Sequence, residues 1–248
     1  MSFLDLFSDK ATLYASARPR YPEDLFAFIS SQAPSHDCAW DCGAGNGQAA
    51  VSLSKHFSKV LASDPSDEQL ANAIPAENVF YSVQHAEQTD FPDHSFDAVC
   101  AAQALHWFQF DEFFSEVRRV AAPGAVFAAW GYDWFSVSPA FDAAFKASIL
   151  DVIEPCWATQ NKILWRGYAD VPLPFPRIST PAFQIEVHWT LRELLAYVHS
   201  WSATRRCMSA SGTGFFEYAQ YELAPLWGAA ELRRRISMPL HLIAGRVS

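Results

Sequence analysis

Positive charge is scarce in this 248-residue sequence: 18 Lys and Arg stand against 27 Asp and Glu, a net charge of −9. That balance opposes the phosphate neutralisation on which nucleic-acid binding depends, so DNA and RNA are not expected partners. Long apolar runs are also missing. Residues 98–110 and 120–132 carry no charge for 13 positions each, short of the ~20 that a membrane-spanning helix needs, and no membrane association is expected. The start, Met1-Ser2-Phe3-Leu4-Asp5, has no basic segment followed by an apolar core, and Asp5 and Asp9 argue against a transit peptide. A cytoplasmic protein is the expectation. The five cysteines (Cys38, Cys42, Cys100, Cys156, Cys207) are odd in number and form no C-x-x-C pair, which points away from a zinc site or a disulfide framework and towards reduced thiols with no bound metal.

What is abundant is core-forming material. Half of the residues are apolar, 15% are aromatic and only 18% are charged, a composition that excludes disorder and fills one elaborated domain or two small ones. The charge is uneven: residues 1–131 hold 17 acids and 7 bases, whereas 132–248 hold 10 acids and 11 bases, so the two halves are expected to do different work.

Through residue 131, short apolar runs alternate with helical patterns at the spacing of βα units, which predicts a parallel sheet covered by helices. Strands are expected at 38–42, 59–64, 79–83, 96–101 and 125–130, with helices at about 22–32, 48–57, 66–73 and 111–121. Beyond Gly131 the sequence turns rich in Trp and Pro and loses this rhythm, which reads as an inserted cap. Within it Phe183, Ile185, Val187 and Trp189 alternate with polar residues as a half-buried strand, and Thr190 and Glu193 form a capping box for a helix to about residue 204. Residues 208–214 read as a mobile loop, Arg233-Arg234-Arg235 as a solvated helix face, and 238–247 as a last strand. The expected division is an arm and core at 1–131, a cap at 132–235 and a final core strand at 236–248.

The stretch Trp40-Asp41-Cys42-Gly43-Ala44-Gly45-Asn46-Gly47 ends a strand in an acid and then places glycines at alternate positions before a helix. Such a loop lets a ligand approach bare backbone and offers unpaired helix N–H groups to an anionic group. Gln48 stands where a dinucleotide fingerprint would carry its third glycine, which weakens a nicotinamide reading. Asp64 ends the second strand 23 residues after Asp41, where a carboxylate can accept hydrogen bonds from the two hydroxyls of a ribose.

At these residues the sequence resembles the class I S-adenosylmethionine-dependent methyltransferases: D-x-G-x-G-x-G at residues 41–47, the strand-two acid Asp64, Ala86-Glu87-Gln88-Thr89-Asp90-Phe91-Pro92 as the adenine loop, and Ser95-Phe96-Asp97-Ala98-Val99 as the fourth strand. The family often has Asp before Ala-Glu; here that position is His85. The segment Gln103-Ala104-Leu105-His106-Trp107-Phe108, the arm Tyr14-Ala15-Ser16-Ala17-Arg18-Pro19-Arg20-Tyr21-Pro22 and Ser200-Trp201-Ser202 are similar to a narrower group that includes trans-aconitate and juvenile hormone acid methyltransferases. The resemblance implies a Rossmann-like, mostly parallel seven-stranded sheet with a helical cap after strand five and S-adenosyl-L-methionine as cofactor. It implies cofactor contacts from Tyr14, Arg18, Asp41, Gly43, Ala44, Gly45, Asp64, Pro65, Ala86, Glu87 and Gln103. Acceptor contacts are implied for His106, Trp107, Phe108, Trp201 and Arg205, with His106 as the candidate catalytic residue.

The expected reaction is transfer of the sulfonium methyl to a small molecule, with the protein supplying alignment and exclusion of water. A carboxylate acceptor needs no base, whereas a phenol or ring nitrogen could use His106. O-methylation of a carboxylate is the expectation, beside N- or O-methylation of a heterocycle or phenol and, in another class, a non-catalytic S-adenosylmethionine-binding protein. A monomer or homodimer is anticipated.

Overall fold

A computed structural model describes residues 19–248; the arm residues Tyr14 and Arg18 lie outside them. The described chain begins with α1 (Glu23–Gln32), whose first turn holds Glu23 and Asp24 where acids suit the helix dipole. It continues through β1 (Cys38–Cys42), α2 (Gln48–Leu53), β2 (Lys59–Asp64), α3 (Asp67–Ala71), β3 (Val79–Val83), β4 (Phe96–Ala102), α4 (Phe110–Val120) and β5 (Ala121–Tyr132). After β5 come α5 (Pro139–Phe145), which runs on into a π turn (Lys146–Leu150), then α6 (Asn161–Trp165), β6 (Phe183–Trp189), α7 (Leu191–Ser200), α8 (Ser202–Ser211), α9 (Gly214–Trp227) and β7 (Arg234–Arg246).

The strands form one seven-stranded sheet in the order β3-β2-β1-β4-β5-β7-β6. The first five are parallel and β7 runs antiparallel to β5. Strand order reverses between β1 and β4, so their C-terminal ends, Cys42 and Ala102, border the crevice where open α/β sheets bind ligands. These two strands are buried along most of their length because both faces are covered, and apart from Asp41 and Asp97 their residues are apolar. Trp40 is fully buried among Phe91, Phe96 and Phe113, and its indole donates to Ser63 Oγ at 2.9 Å. Asp97 ties the starts of β4 and β1 together, accepting from the Asp37 and Cys38 amides at 2.9 and 3.1 Å.

The described chain divides into two compact units: a sheet unit of residues 21–133, 162–184 and 239–248, and a helical unit of residues 19–20, 134–161 and 185–238. This grouping differs from the expected division mainly at one segment. Residues 162–184 belong with the sheet, since Leu164, Tyr168, Val171 and Phe175 join its core and Ile178 and Arg246 exchange backbone hydrogen bonds with the β7 region and Pro176. Within the helical unit, Trp134, Trp157, Trp201 and Tyr197 pack ring against ring at 5.4–6.1 Å.

Three further expectations change. The helix begun at Thr190 stops at Ser200, where Trp201 adopts an extended conformation (ψ 139°) before α8 starts. Residues up to Ser211 are therefore helical rather than a loop. Arg234 and Arg235 open a strand, not a helix face: Arg233 donates to Glu193 and the His188 carbonyl, Arg234 to the Trp227 carbonyl, and Arg235 pairs with Glu186. The cysteines are all free, and Cys42, Cys100 and Cys207 are buried. Among the described residues no helix is long and apolar enough to cross a membrane.

Candidate active site

Between β1 and α2 the chain turns on three left-handed glycines, Gly43, Gly45 and Gly47 (φ +68°, +55° and +80°). Two of them also stand where a side chain has no room. A Cβ on Gly43 would lie 2.6 Å from Ala104 Cβ, and one on Gly47 would lie 2.1 Å from the Tyr81 hydroxyl. Gly45 is different: a Cβ there meets nothing nearer than Gln69 Oε1 at 3.9 Å. The turn is pinned from below by the Ala44 amide on the Ser63 carbonyl (2.9 Å), and the open side of Gly45 is the face a ligand can approach.

Asp64 stands at the end of β2, beside this loop. Its Oδ2 accepts from the Gly45 amide and its Oδ1 from the Ser66 amide, each at 2.9 Å. Two amides fix the carboxylate while leaving lone pairs for further donors, because an ionised carboxylate has about four acceptor positions. Pro65, next in sequence, is exposed.

Asp41 is fully buried, and neither carboxylate oxygen has a hydrogen bond of normal geometry among the described residues. Burial pushes its pKa up to about 7; the Ala50 amide offsets part of this, and the neighbouring Asp64 charge adds to it. An acid held this way is an unsatisfied acceptor pair at the ligand end of β1, suited to a cationic N–H donor. Ala86 is buried, and the Glu87 carboxylate accepts the Gln109 amide at 3.0 Å, which anchors the loop after β3 to the start of α4.

Past β4, Gln103 takes a left-handed conformation (φ +55°), uncommon for a residue with a side chain. Its amide donates to the Trp130 carbonyl at 2.8 Å and its Nε2 to the Tyr132 carbonyl at 2.9 Å. Its Oε1 is buried without a partner among the described residues. A short 3-10 turn (Leu105–Trp107) follows. His106 is 4% exposed, and burial drives its pKa down to about 4, so the ring is neutral at physiological pH. Its Nδ1 lies 3.3 Å from the Tyr168 hydroxyl. Trp107 is 49% exposed, whereas Phe108 packs on Phe113 (4.6 Å between ring centres) beside Gly43, a position that closes the loop against the core.

Trp201 and Arg205 belong to the helical unit. Trp201 lies in the aromatic cluster, and Arg205 is exposed on α8. The sheet unit thus brings together Asp41, the glycine loop, Asp64, Gln103 and His106 at adjoining strand ends. Sequence reading missed Tyr168, which lies 62 residues beyond His106; the one local hint is the Gly167-Tyr168 pair that ends α6, both left-handed.

The residues present fit S-adenosylmethionine: an orphaned buried acid for a cationic amino group, an open glycine backbone, and an amide-held carboxylate for a diol. No cluster of His, Cys, Asp and Glu among the described residues is arranged to hold a metal.

A family model for a methyltransferase domain matches residues 40–129, the segment that runs from the start of the glycine motif to β5. A Dictyostelium discoideum protein named as a methyltransferase is 31% identical over 204 residues, covering 81% of this chain and 78% of its own. A Saccharomyces cerevisiae protein named as an S-adenosylmethionine-dependent methyltransferase is 27% identical over 128 residues, 48% of this chain and 44% of its own. A solved structure from Anaeromyxobacter dehalogenans, described as a type II methyltransferase, is 37% identical with a TM-score of 0.87 over 93% of this chain and 98% of that one. Near-complete coverage at this identity, on a sheet that carries the glycine loop and the strand-two acid in place, leads to one family: the chain belongs to the class I S-adenosylmethionine-dependent methyltransferases.

Proposed function

We propose that this methyltransferase acts on a small carboxylic acid and methylates a carboxylate oxygen. The observation that carries the reading is His106. It is the titratable side chain of the segment that follows β4, and burial holds it neutral with a pKa of about 4, far below the operating pH at which a general base works best. An acceptor that arrives already ionised needs no such base. Two sequence features agree: Ala104-Leu105-His106-Trp107-Phe108 and Ser200-Trp201-Ser202 resemble a group that includes carboxyl methyltransferases, and residues 132–248 carry a net +1 against −10 for residues 1–131.

In this reading Asp41 accepts the amino group of the cofactor, and the Gly43-Ala44-Gly45 backbone lies along its amino-acid end. Asp64, with Pro65 beside it, binds the ribose. Ala86 and Glu87 line the adenine side, and Gln103 closes the site from β4. When bound, S-adenosylmethionine supplies a sulfonium-activated methyl group. The chain's own part is to bind, to align the acceptor oxygen and to keep water out, effects worth up to ~7–11 kcal/mol in well-oriented systems. The half-exposed Trp107, next to His106 (5.1 Å between ring centres), offers an aromatic face to a cationic or flat group.

The test is a panel of di- and tricarboxylates, long-chain acids, phenols and N-heterocycles assayed for S-adenosylhomocysteine release, with wild type and His106→Ala. Ester products are expected to persist in the variant, with KM raised by the lost acceptor contact and kcat reduced far less than the loss of a general base would give. Turnover of phenols or heterocycles alone, collapsing in His106→Ala, would overturn the proposal and make His106 the base.

A further inference from the structure

We infer that Tyr168 is a positioning residue that fixes the tautomer of His106, so that the imidazole carries its proton on Nε2 and meets the acceptor as a hydrogen-bond donor. The inference deepens the proposed function and rests on it for the identity of the acceptor, but its first half concerns only two side chains of the sheet unit.

The argument starts from the Tyr168 hydroxyl. Its side chain is fully buried, and burial raises its pKa well above the usual phenol range, so the O–H stays protonated. A buried donor left without an acceptor is costly, and its one hydrogen-bond partner among the described residues is His106 Nδ1 at 3.3 Å. Gln103 Oε1 is close to the same spot: a Cβ built on Gly131 would lie 2.6 Å from it and 3.1 Å from the Tyr168 hydroxyl. Yet that oxygen has no partner, so it does not take the tyrosine proton. The hydroxyl therefore donates to Nδ1. A neutral imidazole has one donor and one acceptor nitrogen, and with Nδ1 accepting, the proton resides on Nε2. That nitrogen makes no hydrogen bond to a described residue, so it is available to the acceptor.

Backbone geometry shows that the placement of Tyr168 is maintained against strain. Tyr168 sits at φ +58° directly after Gly167 at φ +63°, a conformation that is unfavourable for a bulky residue and persists only where its surroundings impose it. The Gly167 and Tyr168 amides are held by the Leu164 and Ile163 carbonyls at 2.7 and 3.1 Å. Gly131 on β5 leaves the space below; any side chain there would displace Leu164, Gln103 and the Tyr168 hydroxyl together. The chemical consequence is selection of acceptors. A fixed N–H favours an anionic or carbonyl oxygen and offers nothing to a group that must first lose a proton.

The experiment is long-range 1H–15N correlation on the full chain labelled with [15N]histidine, His106 being assigned by the loss of its signals in His106→Gln. The expected spectrum has the Nε2-protonated pattern with Nδ1 shifted by an accepted hydrogen bond. In Tyr168→Phe the Nδ1 shift should disappear, and the preference for the Nε2 tautomer should fall about five- to tenfold, the equivalent of one hydrogen bond. A wild-type spectrum with the proton on Nδ1 would overturn the inference whatever the acceptor proves to be, and it can be read even if Tyr168→Phe does not fold. A Nδ1 signal indifferent to Tyr168→Phe in a folded variant would overturn it equally. If instead the tautomer is confirmed while the acceptor panel yields only phenols or heterocycles, the positioning role of Tyr168 stands and the carboxylate reading fails.

Discussion

At the scale of single residues, two buried titratable groups of the sheet unit act on stability in opposite directions. The Asp41 pKa rises from an ordinary 3.8 to about 7, so between those values the native state holds a proton that the unfolded chain has released. Its stabilising effect is complete below pH 3.8 and is lost as pH climbs to 7, a change of roughly 4 kcal/mol at most. The His106 pKa falls from 6.5 to about 4, so the unfolded chain binds the extra proton in that window. Stability is therefore full above pH 6.5 and lost as pH falls towards 4, by roughly 3 kcal/mol. The two slopes largely cancel between pH 4 and 6.5, and single variants should expose them. Urea denaturation of the ligand-free protein at several pH values is expected to show Asp41→Asn losing stability on acidification and His106→Gln gaining it; parallel profiles for both variants and wild type would refute the assignments. Asp64→Ala should weaken S-adenosylhomocysteine binding by about 1–3 kcal/mol, the usual effect of losing hydrogen bonds to a charged group, and calorimetry with unchanged affinity would remove Asp64 from the site. Gly45→Val combines a left-handed backbone with a side chain on the open face, and loss of binding should exceed any loss of melting temperature.

Elements of the helical unit are set by caps and by pairs that cross from helix to strand. Thr190 and Glu193 complete a capping box at the start of α7, and Glu193 also receives Arg233 at 2.9 Å. Thr190→Ala should cost about 1 kcal/mol, the common loss for a removed N-cap, read as a lower urea midpoint at constant slope. The exposed pairs, such as Lys55 with Glu23 and Arg166 with Asp170, should contribute little, since exposed ion pairs are typically worth less than ~1 kcal/mol. In the sheet unit, Arg119 joins Glu116, Asp93 and the Phe91 and Thr89 carbonyls. This pulls the Glu116 carboxyl below its usual range even though burial alone would raise it, and it clamps the loop after β3 onto α4.

For the whole molecule, binding and stability are linked. S-adenosylhomocysteine at 100 times its dissociation constant should stabilise the native state by about 2.7 kcal/mol, which for a chain of this size corresponds to a rise in melting temperature of about 5–11 °C. If the sheet and helical units unfold in separate steps, only the transition of the sheet unit should move, because the glycine loop and Asp64 belong to it. Scanning calorimetry with and without ligand distinguishes these outcomes. The net charge of −9 leads to a further expectation: no retardation with duplex DNA at physiological salt, measured by gel shift, since a net-negative chain is repelled by the phosphates it would have to neutralise.

The βα rhythm, the existence and chain order of the seven strands, the glycine loop and the strand-two acid were legible in the sequence, because each rests on local chemistry, whereas β5 and β7 each begin four residues before the expected start. Short apolar runs mark the strands covered on both faces, alternation marks the half-buried β6, left-handed turns favour glycine, and an acid at a strand end lies beside the next loop by topology. The capping box at Thr190 was legible for the same reason. Other features depended on contacts between distant residues. An arginine run is equally soluble on a helix or a strand, and only its partners Glu186 and Glu193 place Arg234 and Arg235 on β7. The break at Trp201 carries no proline or glycine to mark it. Residues 162–184 join the sheet because Leu164, Tyr168 and Phe175 are buried in its core. The meeting of Tyr168 with His106 spans 62 positions, so the tertiary fold alone decides where the imidazole proton resides. A hydrogen bond depends on distance in space, and local sequence encodes only distance along the chain.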